Sequence, residues 1–442
     1  MRACVAYGSV ALAGLSGLCL AQGSGGTGSA AEAEKRAFGQ LPPNAGWLSD
    51  PKAEATNLWE AIGGGKVHLD DRLRFEFAEV DGRKPSYAIT NRIRLGYETK
   101  AFKGFSAMIE MENVATPDHD LYFVAATGDG DAERTNVPDP SDTEVNQAWG
   151  RYRRDGLFEG EAFIDIKAGR QRLTFDDHRF IGNVGWRQFE QTLDAARVDV
   201  GNKKLTFNYA YVWGVQRIFS DDDTARPWDS DSHLIRAGYK FSDALVVTPF
   251  VYLLDFDNAS GSSNQSYGVR VSGTVKLGEG TLQSLLYEAT YARQSDYGDN
   301  ATDYEADYFG VDAAAAIAEF GQVGAGYQFL GSDDGAASFQ FPLGTNHKFQ
   351  GYADLFLTTP PEGLQDFYIY VRADLPWKLK GELAYHEFWF DEGGDNIGYE
   401  VDAVLSRKIS SNWVVLGKLA NFDGQGRFSD TIRLWLETTF SF

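Results

Sequence analysis

The sequence predicts an all-β chain closed into a transmembrane antiparallel β-barrel of about 18 strands, with short periplasmic turns and long extracellular loops. Three observations predict it. From Lys66 onward, apolar and polar residues alternate with a period of two in segment after segment. That is the pattern of strands with one face in an apolar medium and the other in water. The connections between these segments alternate between long, Asp-rich stretches and brief turns. The last stretch, TIRLWLETTFSF, sets Ile432, Leu434, Leu436, Thr438, Phe440 and Phe442 on one face. Thr431, Arg433, Trp435, Glu437, Thr439 and Ser441 fall on the other.

The N-terminal segment sets the expected compartment. Met1 and Arg2 are followed by a small, apolar stretch to Leu20, and Cys19-Leu20-Ala21 offers the small residues a signal peptidase reads. Residues 1–21 are therefore expected to be a signal peptide. A lipoprotein signal would need a small residue before Cys19, where Leu18 stands. Both cysteines, Cys4 and Cys19, lie inside this segment, which excludes disulfide scaffolds, thiolate metal sites and cysteine nucleophiles from the mature chain. Sixty-three acidic residues against 41 basic ones give a net charge of −22 and argue against nucleic acid as a partner. Past the signal no apolar run is long enough for a membrane helix. The 48 glycines, 14% aromatics and three methionines suit sheets with tight turns better than helical bundles.

Residues 22–65 read as a flexible periplasmic segment, Gly/Ser/Ala-rich at first, with a short helix possible in AEATNLWEAI (53–62). The barrel is assigned to 66–442. Its strands are expected at 66–79, 88–99, 103–114, 143–154, 161–172, 193–200, 204–215, 232–241, 245–256, 265–277, 282–294, 306–317, 321–330, 366–375, 378–390, 397–407, 412–422 and 430–442. In LRFEF, Leu73, Phe75 and Phe77 oppose Arg72, Arg74 and Glu76; in NRIRLGYE, Ile93, Leu95 and Tyr97 oppose Arg92, Arg94 and Glu98. VVTPFVYLL is ambiguous, because both parities are apolar. The long connections are 115–142, 173–192, 216–231, 257–264, 295–305 and 331–365. They collect the acidic residues, among them Asp118, Asp129, Asp131, Asp221–Asp223, Asp299, Asp333 and Asp334. A soluble sandwich has no reason to sort its loops in this way, whereas a barrel crossing an outer membrane does. Hydrocarbon leaves no backbone group unpaired, so the last strand must close on the first. The terminal Phe442 suits the aromatic girdle.

An anion pathway needs fixed cations where water is confined. Arg72, Arg74, Arg92, Arg94 and Arg433 face inward by parity on three strands that closure makes neighbours, and Arg236, Lys240, Arg270 and Lys276 extend the set. Glu76, Glu98, Glu110, Glu112 and Glu437 share that face. Two readings stay open: an anion-selective stripe, or a wall ladder of ion pairs. The loop after the fifth strand holds Arg179, Trp186 and Arg187, preceded by Arg170 and Arg172, a set suited to narrowing a pore or to capping its rim. The 331–365 loop holds His347, Phe349 and Tyr352 among Phe339, Phe341 and Phe356, and its apolar content argues for folding inward.

Catalysis has weak support: His68, His119, His178, His233, His347 and His386 are scattered, and neither G-x-S-x-G nor H-E-x-x-H occurs. No cofactor or metal site is assigned. GDGD (128–131) and DFDN (255–258) carry oxygen ligands suited to Ca²⁺ without a full EF-hand spacing, so solvated acidic loops are the simpler account.

Four stretches carry a family resemblance: GRQRLTFDDHRFIGNVGWRQFEQTLDAARV (169–198), FPLGTNHKFQGYADLFLTTPPEGLQDFYIYV (341–371), NLWEAIGGGKVHLDDRLRFE (57–76) and ITNRIRLGYET (89–99). They resemble the alginate export family of outer-membrane β-barrel porins. The resemblance implies an 18-stranded barrel in the outer membrane of a Gram-negative bacterium and, as cargo, an acidic polysaccharide such as alginate moving outward through an Arg-containing lumen. The partners it implies are outer-membrane lipid and lipopolysaccharide, the anionic polysaccharide or a small anionic solute, and periplasmic export components. Two alternatives remain: a general or substrate-selective uptake porin for small solutes, and a closed barrel presenting binding loops at the cell surface.

Overall fold

In the computed structural model, residues 54–157, 161–220 and 227–442 are described. The expected signal peptide, most of the segment after it and Asp221–Asp223 lie outside the described residues. Eighteen antiparallel strands close into one sheet among the described residues. They are β1 (Lys66–Val80), β2 (Ser86–Glu98), β3 (Phe105–Ala115), β4 (Asp142–Leu157), β5 (Ala162–Gln171), β6 (Thr192–Gly201), β7 (Leu205–Gln216), β8 (Trp228–Ser242) and β9 (Leu245–Leu254). The second half comprises β10 (Asn264–Lys276), β11 (Leu282–Asp296), β12 (Glu305–Ile317), β13 (Gly321–Leu330), β14 (Leu364–Leu375), β15 (Leu379–Trp389), β16 (Asn396–Lys408), β17 (Trp413–Gly424) and β18 (Thr431–Ser441). Each strand pairs with the next, and β18 closes on β1 with Arg74 opposite Glu437 and Asp70 opposite Ser441. Phe442 completes the seam through two backbone hydrogen bonds with Leu69, at 2.8 and 3.1 Å.

Alternation fixes which face is which. On β1, His68, Asp70, Arg72, Arg74 and Glu76 are buried inside, while Val67, Leu69 and Leu73 are exposed outside. Ile89, Ile93 and Leu95 of β2 continue the outer apolar band. This is an inside-out protein: its large exposed apolar side chains face hydrocarbon rather than water.

The connections sort by end of the barrel. The brief turns 99–104, 202–204, 243–244, 318–320 and 376–378 share the periplasmic end. The long loops 116–141, 172–191 and 331–363 share the extracellular end. Length alone is not the criterion, because 81–85, 390–395 and 425–430 are brief and lie with the long loops. At the turn end, helix α1 (Leu58–Gly63) starts at Asn57, whose side chain accepts from Glu60 N at 2.9 Å, and docks through a Lys100–Glu60 ion pair of 2.7 Å.

The apolar core lies within the barrel. Loops 172–191 and 331–363 fold into the lumen and pack Leu173, Phe175, Ile181, Trp186, Phe339, Phe341 and Leu343 against inward residues of the wall, among them Phe250, Tyr252 and Tyr308. Phe180 meets Phe250 at 4.7 Å and Phe341 at 5.0 Å between ring centroids. The double apolar parity of the β9 sequence has its cause here: one face meets lipid, and the other meets an apolar loop.

Candidate solute pathway

The wall formed by β1, β2 and β18 carries the predicted arginines on its inner face, and every one of them is engaged. Arg74 bonds Glu437 at 2.7 Å and reaches Asp139 at 3.5 Å. Arg72 donates to Gln188 Oε1 at 2.9 Å and to the carbonyls of Gly185 and Arg187. Arg92 pairs with Asp70, and Arg94 pairs with Glu112 at 2.6 Å and Glu190 at 3.5 Å. Arg433 pairs with Glu76 at 3.0 Å and donates to Ala353 O. Their side chains are only 0–7% exposed. A buried guanidinium is tolerable only with a carboxylate beside it, so this stripe is close to neutral overall.

The inward loops supply part of that neutralisation. Arg187 joins Glu76 at 3.0 Å and also pairs with Asp354, so one side chain ties loop 172–191 to β1 and to loop 331–363. Arg172 bonds Glu190 at 2.6 Å. Arg170, at the outer end of β5, pairs with Asp194 of β6 at 2.9 Å instead of joining the loops. Arg179 is buried between aromatic rings, with its guanidinium carbon 3.7 Å from the centroid of Phe341 and 4.5 Å from that of Phe349. Backbone bonds interlock the two loops: Gly182 N donates to Leu343 O at 2.8 Å, and Thr345 N to His178 O at 2.9 Å. Burial pushes the His178 imidazole down to about 4, with Lys348 adding to the effect, so this loop residue is neutral at pH 7.

The remaining constriction candidates form one cluster. His347 stacks on Trp186 with centroids 4.8 Å apart and on Tyr352 at 5.3 Å. Lys418 of β17 inserts its Nζ among these rings, 4.0 Å from the Trp186 centroid, and bonds His347 Nε2 at 2.7 Å. Tyr352 donates to Glu382 at 3.0 Å.

The opposite wall is less closed. A cavity between the tip of loop 172–191 and strands β9–β14 is lined by Asp176, Asp177, Arg270, Glu288, Asp312 and Tyr368, among others. Arg236 and Arg270 reach Asp176 at 2.7 and 3.8 Å, and Arg270 also reaches Glu288 at 2.5 Å. Lys348 donates to Asp177 O at 2.8 Å, and Arg372 bonds Glu382 at 3.0 Å. Tyr368 and Tyr370 both donate to Asp312, at 3.1 and 2.8 Å. The inward glycines of β13 make this possible: a Cβ on Gly326 would stand 2.2 Å from Tyr368 Cζ, and one on Gly324 2.3 Å from Tyr370 Cζ. Both rings therefore lie close against the wall. The three arginines here are 14–21% exposed, in contrast to the sealed stripe across the barrel. Such an array of guanidinium, hydroxyl and carboxylate groups can exchange hydrogen bonds with a hydroxyl-rich, charged solute. Lys240 and Lys276 lie at the turn end, remote from these loops.

Sequence reasoning missed Lys418, Lys348, Asp354 and Arg372. Lys418 left a signal, since it is the one charged residue in NWVVLGKLANF (412–422) and lies on the inward parity. Asp354 left none, because its role depends on a loop path that no periodicity encodes. Among the described residues no group of three or more His, Cys, Asp or Glu side chains is placed to hold a metal ion.

A closed barrel with an apolar girdle outside and a polar lumen narrowed by its own loops defines an outer-membrane channel. The chain belongs to the alginate export family, whose profile matches residues 86–423. Its place is the outer membrane of a Gram-negative bacterium, in contact with outer-membrane lipid. Solved structures of similar fold include Acinetobacter baumannii OccAB4, at 13% identity and a TM-score of 0.63, covering 86% of this chain and 98% of that one. Pseudomonas aeruginosa OccK3 (OpdO) matches at 15% identity and a TM-score of 0.64, covering 87% and 97%. Pseudomonas aeruginosa OpdK, solved with vanillate, matches at 13% identity and a TM-score of 0.64, covering 85% and 98%. Among curated proteins none matches the chain. The family and these folds are those of channels rather than enzymes.

Proposed function

We propose that this channel passes an anionic solute, an acidic polysaccharide such as alginate moving outward, along the β8–β14 side of the lumen. The observation that carries the reading is the set of partly exposed cations beside a half-buried tyrosine. Arg236, Arg270, Lys348 and Arg372 supply charge, while Tyr368 supplies a ring face and the buried Tyr370 helps hold Asp312. Membership of the alginate export family supports the choice of a uronate polymer. Planar-bilayer recording with uronate oligomers as blockers tests it. Brief, concentration-dependent block is expected, together with weaker block in Arg270→Gln and Lys348→Gln variants. A channel indifferent to the oligomers would sink the reading.

A second reading is uptake of a small anionic solute. It is favoured by the two loops that occupy the lumen, which leave less room for a polymer, and by the shared fold with OpdK solved with vanillate. Permeation by small carboxylates with no effect of uronate oligomers would select it. A barrel closed to solute, serving as a scaffold for surface-binding loops, would show no conductance at all.

A further inference from the structure

We infer that the inner face of β4–β6 at the periplasmic end is a separate capture site for carboxylate-bearing solute, which makes the channel electrically asymmetric. The inference rests on the anionic reading for its physiological cargo, but not for its electrostatics. Arg151, Arg153, Lys167 and Arg197 project inward by alternation on three adjacent strands near the turns. They are the counterpart of the sealed stripe: the three arginines are 24–38% exposed. Asp165 is shared by Arg151 at 2.8 Å and Arg153 at 3.1 Å, and Asp199 serves Arg197 at 2.7 Å. Lys167 forms no ion pair among the described residues. Its Nζ lies 4.2 Å from the ring centroid of Trp149, a neighbour on the same inner face. Asp155 also bonds Arg153, at 2.9 Å, so four cations face three bonded carboxylates, and Arg151, Lys167 and Arg197 keep N–H groups for an incoming anion.

The other mouth has the opposite sign. Asp118, Asp129, Asp257, Asp299, Asp334 and Asp395 all belong to loops at the extracellular end. Walls of low dielectric focus such fields along the lumen. An anion approaching from the turn side meets attraction first, and one approaching from the loop side meets repulsion first. Neither effect sets the direction of net flow, which follows the gradient, but together they favour capture from the periplasm.

The full barrel, inserted in a planar bilayer in one orientation, tests this. A uronate oligomer added on the turn side is expected to block with an on-rate about tenfold above that from the loop side, and the ratio is expected to shrink as salt rises. The combined Arg151→Gln, Lys167→Gln and Arg197→Gln variant is expected to lose that asymmetry, while block from the loop side persists. An Arg151→Lys, Arg197→Lys variant, which keeps the charge, is expected to retain it and guards against a folding defect. Equal on-rates from both sides in the native chain would overturn the inference, as would an asymmetry that survives in the Gln variant. Suppose the oligomer blocks from neither side, yet chloride current in symmetric salt rectifies in the native chain and not in the Gln variant. The polysaccharide reading then fails, and the capture site stands as a site for small anions.

Discussion

Lys418 Nζ donates to His347 Nε2 across 2.7 Å, and this contact joins the barrel wall to both inward loops. The imidazole passes its own Nδ1–H to Asp354 at 2.6 Å, Asp354 holds Arg187, and the Trp186 and Tyr352 rings flank the imidazole and cap the ammonium. A compact cation in an aromatic cage, with an unprotonated nitrogen as its acceptor, is a strong point of attachment once water is excluded.

Lys418→Met is expected to detach the loops. The substitution keeps much of the side-chain volume but leaves His347 Nε2 without its donor and the rings without their cation, while Asp354 keeps Arg187. Leaving a buried acceptor unpaired costs on the order of 1–3 kcal/mol. Single-channel traces are the check: more open-channel noise and a larger mean conductance are expected, with the barrel still resisting denaturation in cold detergent.

Acid is expected to loosen the same attachment. Burial holds the His347 imidazole well below its ordinary range, opposed by Asp354 and reinforced by Lys418, so the native contact requires neutral imidazole. A histidine with a depressed folded value contributes stability that is fully present above its unfolded pKa of about 6.5. That stability is lost as pH falls below this value. Protonated His347 would present N–H to Lys418, and no acceptor would remain. Asp354 does not take up the proton first, because His347 and Arg187 outweigh burial and hold its carboxyl below the usual range. Conductance noise measured from pH 7.5 to 4.5 is expected to grow toward the acid end, and His347→Gln is expected to flatten the profile.

Arg92→Ala with Arg94→Ala tests whether the sealed stripe selects ions or only builds the wall. The change strands Asp70 and Glu112 without their guanidinium partners and leaves Glu190 only that of Arg172. A stability loss of about 3 kcal/mol or more is expected. It would be read as a lower temperature for the gel-mobility shift of the folded barrel. The reversal potential in a salt gradient is expected to move toward cations because of the surplus carboxylates. An unchanged potential would make both residues wall material alone.

Deleting 336–360 removes Phe339, Phe341, His347 and Tyr352 from the lumen together. The barrel sheet itself is untouched, because Gly321–Leu330 of β13 pairs with 364–373 of β14 and the deletion lies outside both. A conductance increase of at least about twofold is expected, since a shorter obstruction leaves a wider aqueous path. No increase would mean that this loop lies clear of the conducting route.

Periodicity was enough for the strands, their inward and outward faces, and closure at the TIRLWLETTFSF seam, whereas loop length misplaced the brief connections 81–85, 390–395 and 425–430. Strands, faces and closure follow from a period of two under the demand that lipid leave no backbone group unpaired. Which cations are sealed and which are open is set by long-range contacts. The parity that puts Arg94 and Arg270 alike inside the barrel cannot tell that Glu190 on a returning loop meets Arg94, whereas Arg270 faces the cavity. VVTPFVYLL was unreadable for the same reason, since its inner face is apolar only because Phe180 comes to lie against Phe250. Alternation is a local property of one strand. The charge that remains available in a lumen depends on long-range loop contacts, and a single strand holds no record of them.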